Sequence, residues 1–324
     1  MKQTLHSFRG KCSVFLLCAS LFYCSSFAQL SAGTYWEAGF TIAPSNFLGD
    51  LGGNTGKGAT FLKDNNISQT RFIIGGFMAV HPADWIGARM SLNYGRLTGD
   101  DAIIKGKGGL EEARRLRNLN FKSSLLEATV MAEIYPTVFF ESDPTDVYHK
   151  IRPYVVGGVG AFRFNPKGQD PATNEWVKLQ PLKTEGQGFT EYPDRQPYKL
   201  TQLNVPFGFG IKYFLSENVN LSFEIVHRTT FTDYIDDVST EFIDPNLFNN
   251  YLPSSQAAIA DRIYNKSPLR TNGLGSGSGF GPGDKRGTKE NNDAYYSAGF
   301  KLAIRLGGGD RMWRNSTRCP VMRF

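Results

Sequence analysis

Cysteine is scarce in this chain of 324 residues: there are four, and no Cys-x-x-Cys pair among them. That excludes a dense disulfide framework and the usual zinc-site spacing. Histidine is equally rare, also with four. Neither sign of charge dominates, with 36 Lys+Arg against 30 Asp+Glu for a formal +6. Charged residues make up a fifth of the chain and are spread along it, a composition that argues against wholesale disorder. Beyond residue 28 no apolar run approaches the roughly 20 residues of a membrane-spanning helix. Plentiful instead are 35 Gly, 25 Phe and 14 Tyr.

The excess positive charge is local. Residues 1–28 have the three parts of a secretory signal: Lys2, Arg9 and Lys11, then a mostly apolar stretch over 14–22, then Ser26-Phe27-Ala28. Cleavage is expected after Ala28. Leu17 before Cys18 and Tyr23 before Cys24 fit a lipoprotein signal poorly. The exported chain would keep 33 basic and 30 acidic residues, with Cys319 its one thiol. The tail, residues 307–324, carries Arg311, Arg314, Arg318 and Arg323 against Asp310. Residues 29–306 are therefore close to neutral, and a nucleic-acid partner is disfavoured.

Alternation with period two recurs along 29–306. Trp36, Ala38, Phe40 and Ile42 alternate with Glu37 and Thr41, and Phe72, Ile74, Met78 and Val80 share one face. Ile86, Ala88, Met90, Leu92 and Tyr94 oppose Arg89, Ser91 and Asn93. Leu126, Ala128, Val130, Ala132 and Ile134 oppose Glu127, Thr129 and Glu133. Four further segments, near 151–164, 200–213, 219–230 and 297–305, read the same way. Their inward sets include Lys212, then Glu224 and Arg228, then Lys301 and Arg305. Eight strands follow, each near the ~9–11 residues that cross a bilayer at a tilt.

The linkers alternate in length. Long ones cover about 44–69, 98–120, 165–199 and 231–293; short ones lie at 81–84, 137–150 and 215–218. Short periplasmic turns and long outer loops are the habit of outer-membrane barrels. Aromatic girdles are expected, with Tyr35, Trp36, Trp85, Tyr135, Tyr213 and Phe214 at one boundary. Tyr94, Phe162, Phe164, Tyr295 and Tyr296 would mark the other. The predicted fold is all-β, an eight-stranded antiparallel up-and-down transmembrane barrel. The alternative is a secreted β-sandwich, whose strands alternate too.

Nine inward charges, Glu37, Arg89, Glu127, Glu133, Lys212, Glu224, Arg228, Lys301 and Arg305, predict a lumen plugged by ion pairs, since an eight-stranded interior is just filled by side chains. A narrow ion path is the other possibility. Catalysis finds little support. His81 and His149 are expected in periplasmic turns, His227 faces lipid, and no Gly-x-Ser-x-Gly or His-Glu-x-x-His pattern accompanies them. No cofactor is implied: the glycine-rich 273–283 stretch lacks the Gly-Lys-Ser/Thr ending of a phosphate loop, and a short loop helix is expected over 253–264. Asp233, Asp236 and Asp237, within the segment 232–240, could bind a hard cation such as calcium; a carboxylate turn bonded to backbone amides is the favoured reading.

Several strings, taken in order, carry a resemblance. They are Asn118-Leu119-Asn120-Phe121-Lys122-Ser123 with Glu127, Arg152-Pro153-Tyr154 running into Gly157-Gly158-Val159-Gly160, and Phe164-Asn165-Pro166. Leu182-Lys183-Thr184-Glu185-Gly186-Gln187-Gly188, the run from Pro206 to Tyr213, the 232–240 segment, and Arg286-Gly287 ahead of Asp293 and Tyr295-Tyr296 continue the series. Together they resemble the PorG-type outer-membrane barrels associated with type IX secretion and gliding. The resemblance implies a structural role: a barrel docking a periplasmic ring of a lipoprotein and its partner. It implies no catalytic residues. The basic tail, with Arg311, Trp313, Arg314, Arg318 and Cys319, is a candidate contact for such ring subunits or for anionic lipid. Small-solute conduction and surface binding through the outer loops are the competing functions.

Overall fold

The computed structural model describes residues 34–52, 67–105, 111–140, 150–269 and 280–306. Residues 1–28, expected to be a signal, together with His149, most of the glycine-rich stretch and the basic tail, lie outside them. Eight long strands are β1 (Tyr35–Leu48), β2 (Arg71–Ala83), β3 (Ile86–Asp100), β4 (Asn120–Ile134), β5 (Ile151–Gln169), β7 (Thr201–Phe214), β8 (Val219–Thr230) and β9 (Ala294–Leu306). A ninth, β6 (Trp176–Lys178), is a three-residue addition to the outer end of β5. Each long strand pairs antiparallel with its neighbour in sequence. The β1–β9 pairing, with Trp36 opposite Leu306, closes the sheet into a barrel. This is the eight-stranded up-and-down cylinder that the alternation predicts, and it leaves the long sheet without free edges.

The outward sets are the predicted ones. Phe40 (77% exposed), Met90 (66%) and Val159 (65%) belong to an apolar belt to which every long strand contributes. A belt of that extent is a lipid-facing surface. Among the described residues no helix is long and apolar enough to cross a membrane.

Three expectations need correction. The strands run 12 to 19 residues rather than 9–11, so the wall continues beyond the bilayer on the long-loop side. Half of the expected aromatic girdle points inward. Tyr35, Tyr135, Phe162, Phe164, Tyr295 and Tyr296 are buried, whereas Trp36, Tyr94 and Tyr213 face out. Strand parity decides this: Phe162 and Phe164 share the face of buried Tyr154 and Val156, not that of exposed Val155 and Val159. Third, His81 is not in a turn. It belongs to β2 and is fully buried inside the barrel, stacked on Tyr35.

The outer loops fold over the barrel mouth. One buried cluster joins wall residues Phe47, Ile73, Leu97, Leu125, Phe162 and Phe164 to loop residues Leu51, Leu119, Ile235 and Val238. A second forms a crown from the two longest loops. Helix α3 (Ser254–Tyr264), expected over 253–264, follows α1 (Glu111–Arg117) and α2 (Phe248–Tyr251) in the chain. It packs Ala257, Ala260 and Ile263 against Leu179, Leu182, Phe189, Phe242 and Phe248.

Candidate functional site

The lumen is the site that the sequence nominates, and each barrel strand supplies one residue to its lower tier. In order these are Glu37, His81, Arg89, Glu133, Tyr154, Lys212, Glu224 and Lys301, all buried. Arg89 is central. Its Nη1 donates to Glu224 Oε2 at 2.8 Å and lies 2.8 Å from Glu133 Oε1, while Nη2 donates to Glu224 Oε1 at 3.0 Å. Lys301 Nζ donates to Glu133 at 3.0 Å and to Glu224 at 3.3 Å. Lys212 Nζ donates to Glu37 at 3.0 Å and lies 3.9 Å from Glu133. The tier sets three carboxylates against three basic side chains, with His81 Nε2 3.4 Å from Glu37. Buried ions persist only when paired and hydrogen-bonded. Here Asn220 donates to Glu37, Tyr154 to Glu224 and Tyr135 to Glu133.

Small residues make this packing possible. A Cβ on Gly210 would lie 2.5 Å from Tyr154 Cζ, and one on Gly87 would lie 2.6 Å from the His81 ring. Both rings occupy space that the neighbouring strand leaves by having no side chain there.

A second tier lies nearer the mouth and is built on Glu127. One carboxylate oxygen accepts from Asn204 (2.7 Å), Arg228 Nε (2.8 Å) and the Tyr295 hydroxyl (2.8 Å), and the other from Asn93 (3.0 Å). Arg228 also donates to Ser297. Of the nine predicted lumen charges, eight fall into these two tiers. Arg305 does not: at the periplasmic rim it is partly exposed, its guanidinium 3.5 Å from the Tyr35 ring centroid. Asn93, Asn204 and Asn220 fall in the inward sets that the alternation gives, here as partners of the carboxylates, but the sequence reading missed His81, Tyr154, Tyr135 and Tyr295. Parity within each strand would have placed them inward, because they alternate with exposed apolar residues.

The acidic segment caps the mouth. Ile235 and Val238 point into the apolar cluster, and the carboxylates between and beside them latch the loop. Asp236 accepts from the backbone N–H groups of Leu51 (2.9 Å) and Val238 (3.0 Å). Asp237 accepts from the Tyr198 hydroxyl at 2.6 Å and from Thr184. Asp293 accepts from Ile235 N–H at 2.8 Å. Arg286 donates to Glu185 at 2.7 Å and to the Asp237 carbonyl at 2.6 Å, and Glu185 accepts from Ser239 and Thr240 N–H. Asp237 itself has a positive φ of 66°, the left-handed region in which Asp is better tolerated than most residues.

Burial outweighs these partners. It pushes the Asp233 carboxyl up to about 8 and Asp237 up to about 6, the latter against the pull of Arg286. Burial raises Asp236 and Asp293 well above the carboxylate range, with Asp50 and Asp233 adding at both and Asp236 adding at Asp293. Ser239 approaches Asp233, but neither oxygen of that carboxyl has a partner in hydrogen-bond geometry. Among the described residues no three carboxylate, imidazole or thiol groups are placed to hold a metal ion. Asp236 and Asp237 are occupied by amides and hydroxyls, which makes the segment a hydrogen-bonded latch on the barrel mouth.

The family model described as "Domain of unknown function (DUF6089)" matches residues 14–248. No curated protein matches this chain. Among solved structures, the attachment invasion locus protein Ail of Yersinia pestis is 6% identical, with 85% of this chain and 100% of that one covered and a TM-score of 0.36. Neisserial surface protein A is 9% identical (85% and 98% covered, TM-score 0.33). The outer membrane protein OprG of Pseudomonas aeruginosa is 12% identical (85% and 96%, TM-score 0.32).

Proposed function

The chain belongs to the DUF6089 family, and we propose that it is a non-enzymatic outer-membrane anchor docking a periplasmic secretion ring of the type IX kind. The observation that carries this reading is the filled lumen. Two tiers of paired side chains and an apolar cork occupy the cylinder from its periplasmic half to its mouth. A barrel filled this way holds a position in the membrane rather than passing solute through it. Its working surfaces are then its wall, its loops and its periplasmic face. The ordered strings that resemble PorG-type barrels are what suggests a ring as the partner.

The periplasmic face has features suited to docking. Phe139 and Phe140 are exposed on the turn after β4, with Trp85 of the adjoining turn 5.9 Å from Phe139, and Leu215 is exposed on the third turn. Aromatic anchors backed by basic residues are common at protein interfaces. The tail residues Arg311, Trp313, Arg314, Arg318 and Cys319 lie outside the described residues and remain contact candidates on their sequence alone.

The test is co-purification of the tagged chain in mild detergent. Ring subunits and their lipoprotein are expected to come with it, and to be lost when residues 307–324 are removed and Phe139 and Phe140 are changed to Ser. Full recovery of ring subunits after both changes would reject this docking surface. Steady conductance of the purified barrel in a planar bilayer would reject the sealed-anchor reading.

A further inference from the structure

Above the lipid belt the outward face of the wall changes character on three neighbouring strands. On β3 the outward series Met90, Leu92, Tyr94 continues with Arg96. On β4 Leu126 gives way to Ser124 and Lys122, and on β5 Ala161 gives way to Arg163 and Lys167. The pairing register aligns these charges. Lys122 stands opposite Lys167, and Lys167 opposite Lys178 of β6. Residues directly opposite in a ladder share a face, with Cβ atoms about 4.5–5.5 Å apart. Arg96 is the diagonal neighbour of Lys122, whose direct partner is Thr98, and both Arg96 and Lys167 are within electrostatic reach of Lys122.

Like charges directly opposite one another destabilise a sheet. Among the described residues no carboxylate pairs with any of these five cations, and only the Trp176 ring, 3.9 Å from Lys122 Nζ, offers a favourable contact. Such an arrangement calls for a counter-charge from outside the chain. Its height identifies which one. Lys122 lies four residues beyond Leu126, about 13 Å along the strand and about 10 Å in height at the usual tilt. That is the depth of the headgroups on the long-loop, outer side of the bilayer. Lysine, a point charge on a flexible stem, suits phosphates held at variable positions.

We propose that Lys122, Lys167 and Lys178, with Arg96 and Arg163 beside them, bind the phosphate groups of outer-leaflet lipid headgroups. The site is independent of ring docking, since it lies on the opposite side of the membrane.

Native mass spectrometry of the full chain tests this, with bis-phosphorylated lipid A and the same lipid after phosphatase treatment as probes. The wild-type chain should retain the phosphorylated lipid in preference, and K122Q/K167Q/K178Q should lose that preference. At about fivefold for each lysine near a charged surface, the loss is on the order of 100-fold. Equal retention of the two lipids by the wild-type chain would overturn the proposal, and that arm needs no variant to fold. So would unchanged retention by the triple variant, the outcome expected if the lysines only discourage pairing of the short β6 edge with another sheet. Displacement of bound lipid by millimolar inorganic phosphate would also overturn it, by showing a free-anion site.

Discussion

Arg89→Met would show whether the lumen is held by charge balance. The lower tier carries Glu37, Glu133 and Glu224 against Arg89, Lys212 and Lys301, all buried. Methionine fills much of the volume of arginine but removes one positive charge and the donors to Glu224 and Glu133. Lys301 and Lys212 are then left to serve three carboxylates. Breaking a buried pair from one side costs about 3–5 kcal/mol, because a charge stays behind without water or partner. Adding Glu224→Gln restores neutrality, and the double variant should recover about 2 kcal/mol of that loss. Urea unfolding in detergent micelles, followed by tryptophan fluorescence and by the heat-modifiable gel shift, measures both. A single variant within about 1 kcal/mol of wild type, or a double variant no better than the single, would refute the account.

Two further outcomes follow from the same geometry. Gly210→Val should expel the Tyr154 ring, whose tip lies 2.5 Å from the position of the added Cβ; it should cost about 1–3 kcal/mol as overpacking and also break the bond to Glu224, read in the same urea assay. The latch over the mouth should weaken as pH rises. Asp233 (about 8) and Asp237 (about 6) hold protons in the fold that the unfolded loop releases near pH 4, so their stabilisation is full below that value and is lost as pH climbs through 6 to 8, and burial raises Asp236 and Asp293 in the same direction. Glu185, Glu290 and Asp50 face Asp233 and reinforce the effect, while Arg286 opposes it at Asp237. Hydrogen exchange at the Leu51, Ile235 and Val238 amides, corrected for intrinsic rate, should lose protection between pH 5.5 and 8.5. Asp233→Asn should flatten the profile, and equal protection at both pH values in the wild-type chain would contradict it.

The barrel was legible because period-two alternation is written in every strand, and because a one-residue slip would put Glu127 or Arg89 into lipid. The lumen charges were legible for the same reason. What the sequence reading did not supply was strand length, since above the membrane the alternation reverses phase, with Phe162 and Phe164 facing in and Arg163 and Lys167 facing out. Phe162 and Phe164 were misplaced because aromatic content near a strand end was read without parity. His81 was assigned to a turn because Pro82 follows it, yet β2 runs on to Ala83. The acidic segment was readable as a carboxylate turn; that Ile235 and Val238 drive it into the mouth depends on packing against strand residues far away in the chain, from Phe47 to Phe164.

The vertical order of the plug follows from what surrounds the wall. β5 spans 19 residues, about 63 Å of strand and roughly 45–50 Å of height at the usual tilt, against an apolar band of about 25 Å. Much of the wall therefore stands in water. Within the band the exterior of each strand must be apolar, so its polar residues are confined to the lumen, where they persist only as complete ion pairs. That is where the tiers of Arg89 and Glu127 lie. Above the band the exterior is free to carry Arg96, Lys122 and Lys167, and the interior can take Phe121, Phe162, Phe164 and the descending Ile235. The polarity of the wall inverts with height, and each level is filled by the side chains that its own exterior excludes. Sealing is then a property of the whole cylinder: Arg89→Met should destabilise the barrel yet leave it closed to ions, because the Glu127 tier and the cork do not depend on the lower tier. Planar-bilayer recording of that variant should show no steady conductance, and a conducting variant would mean that the lower tier alone is the gate.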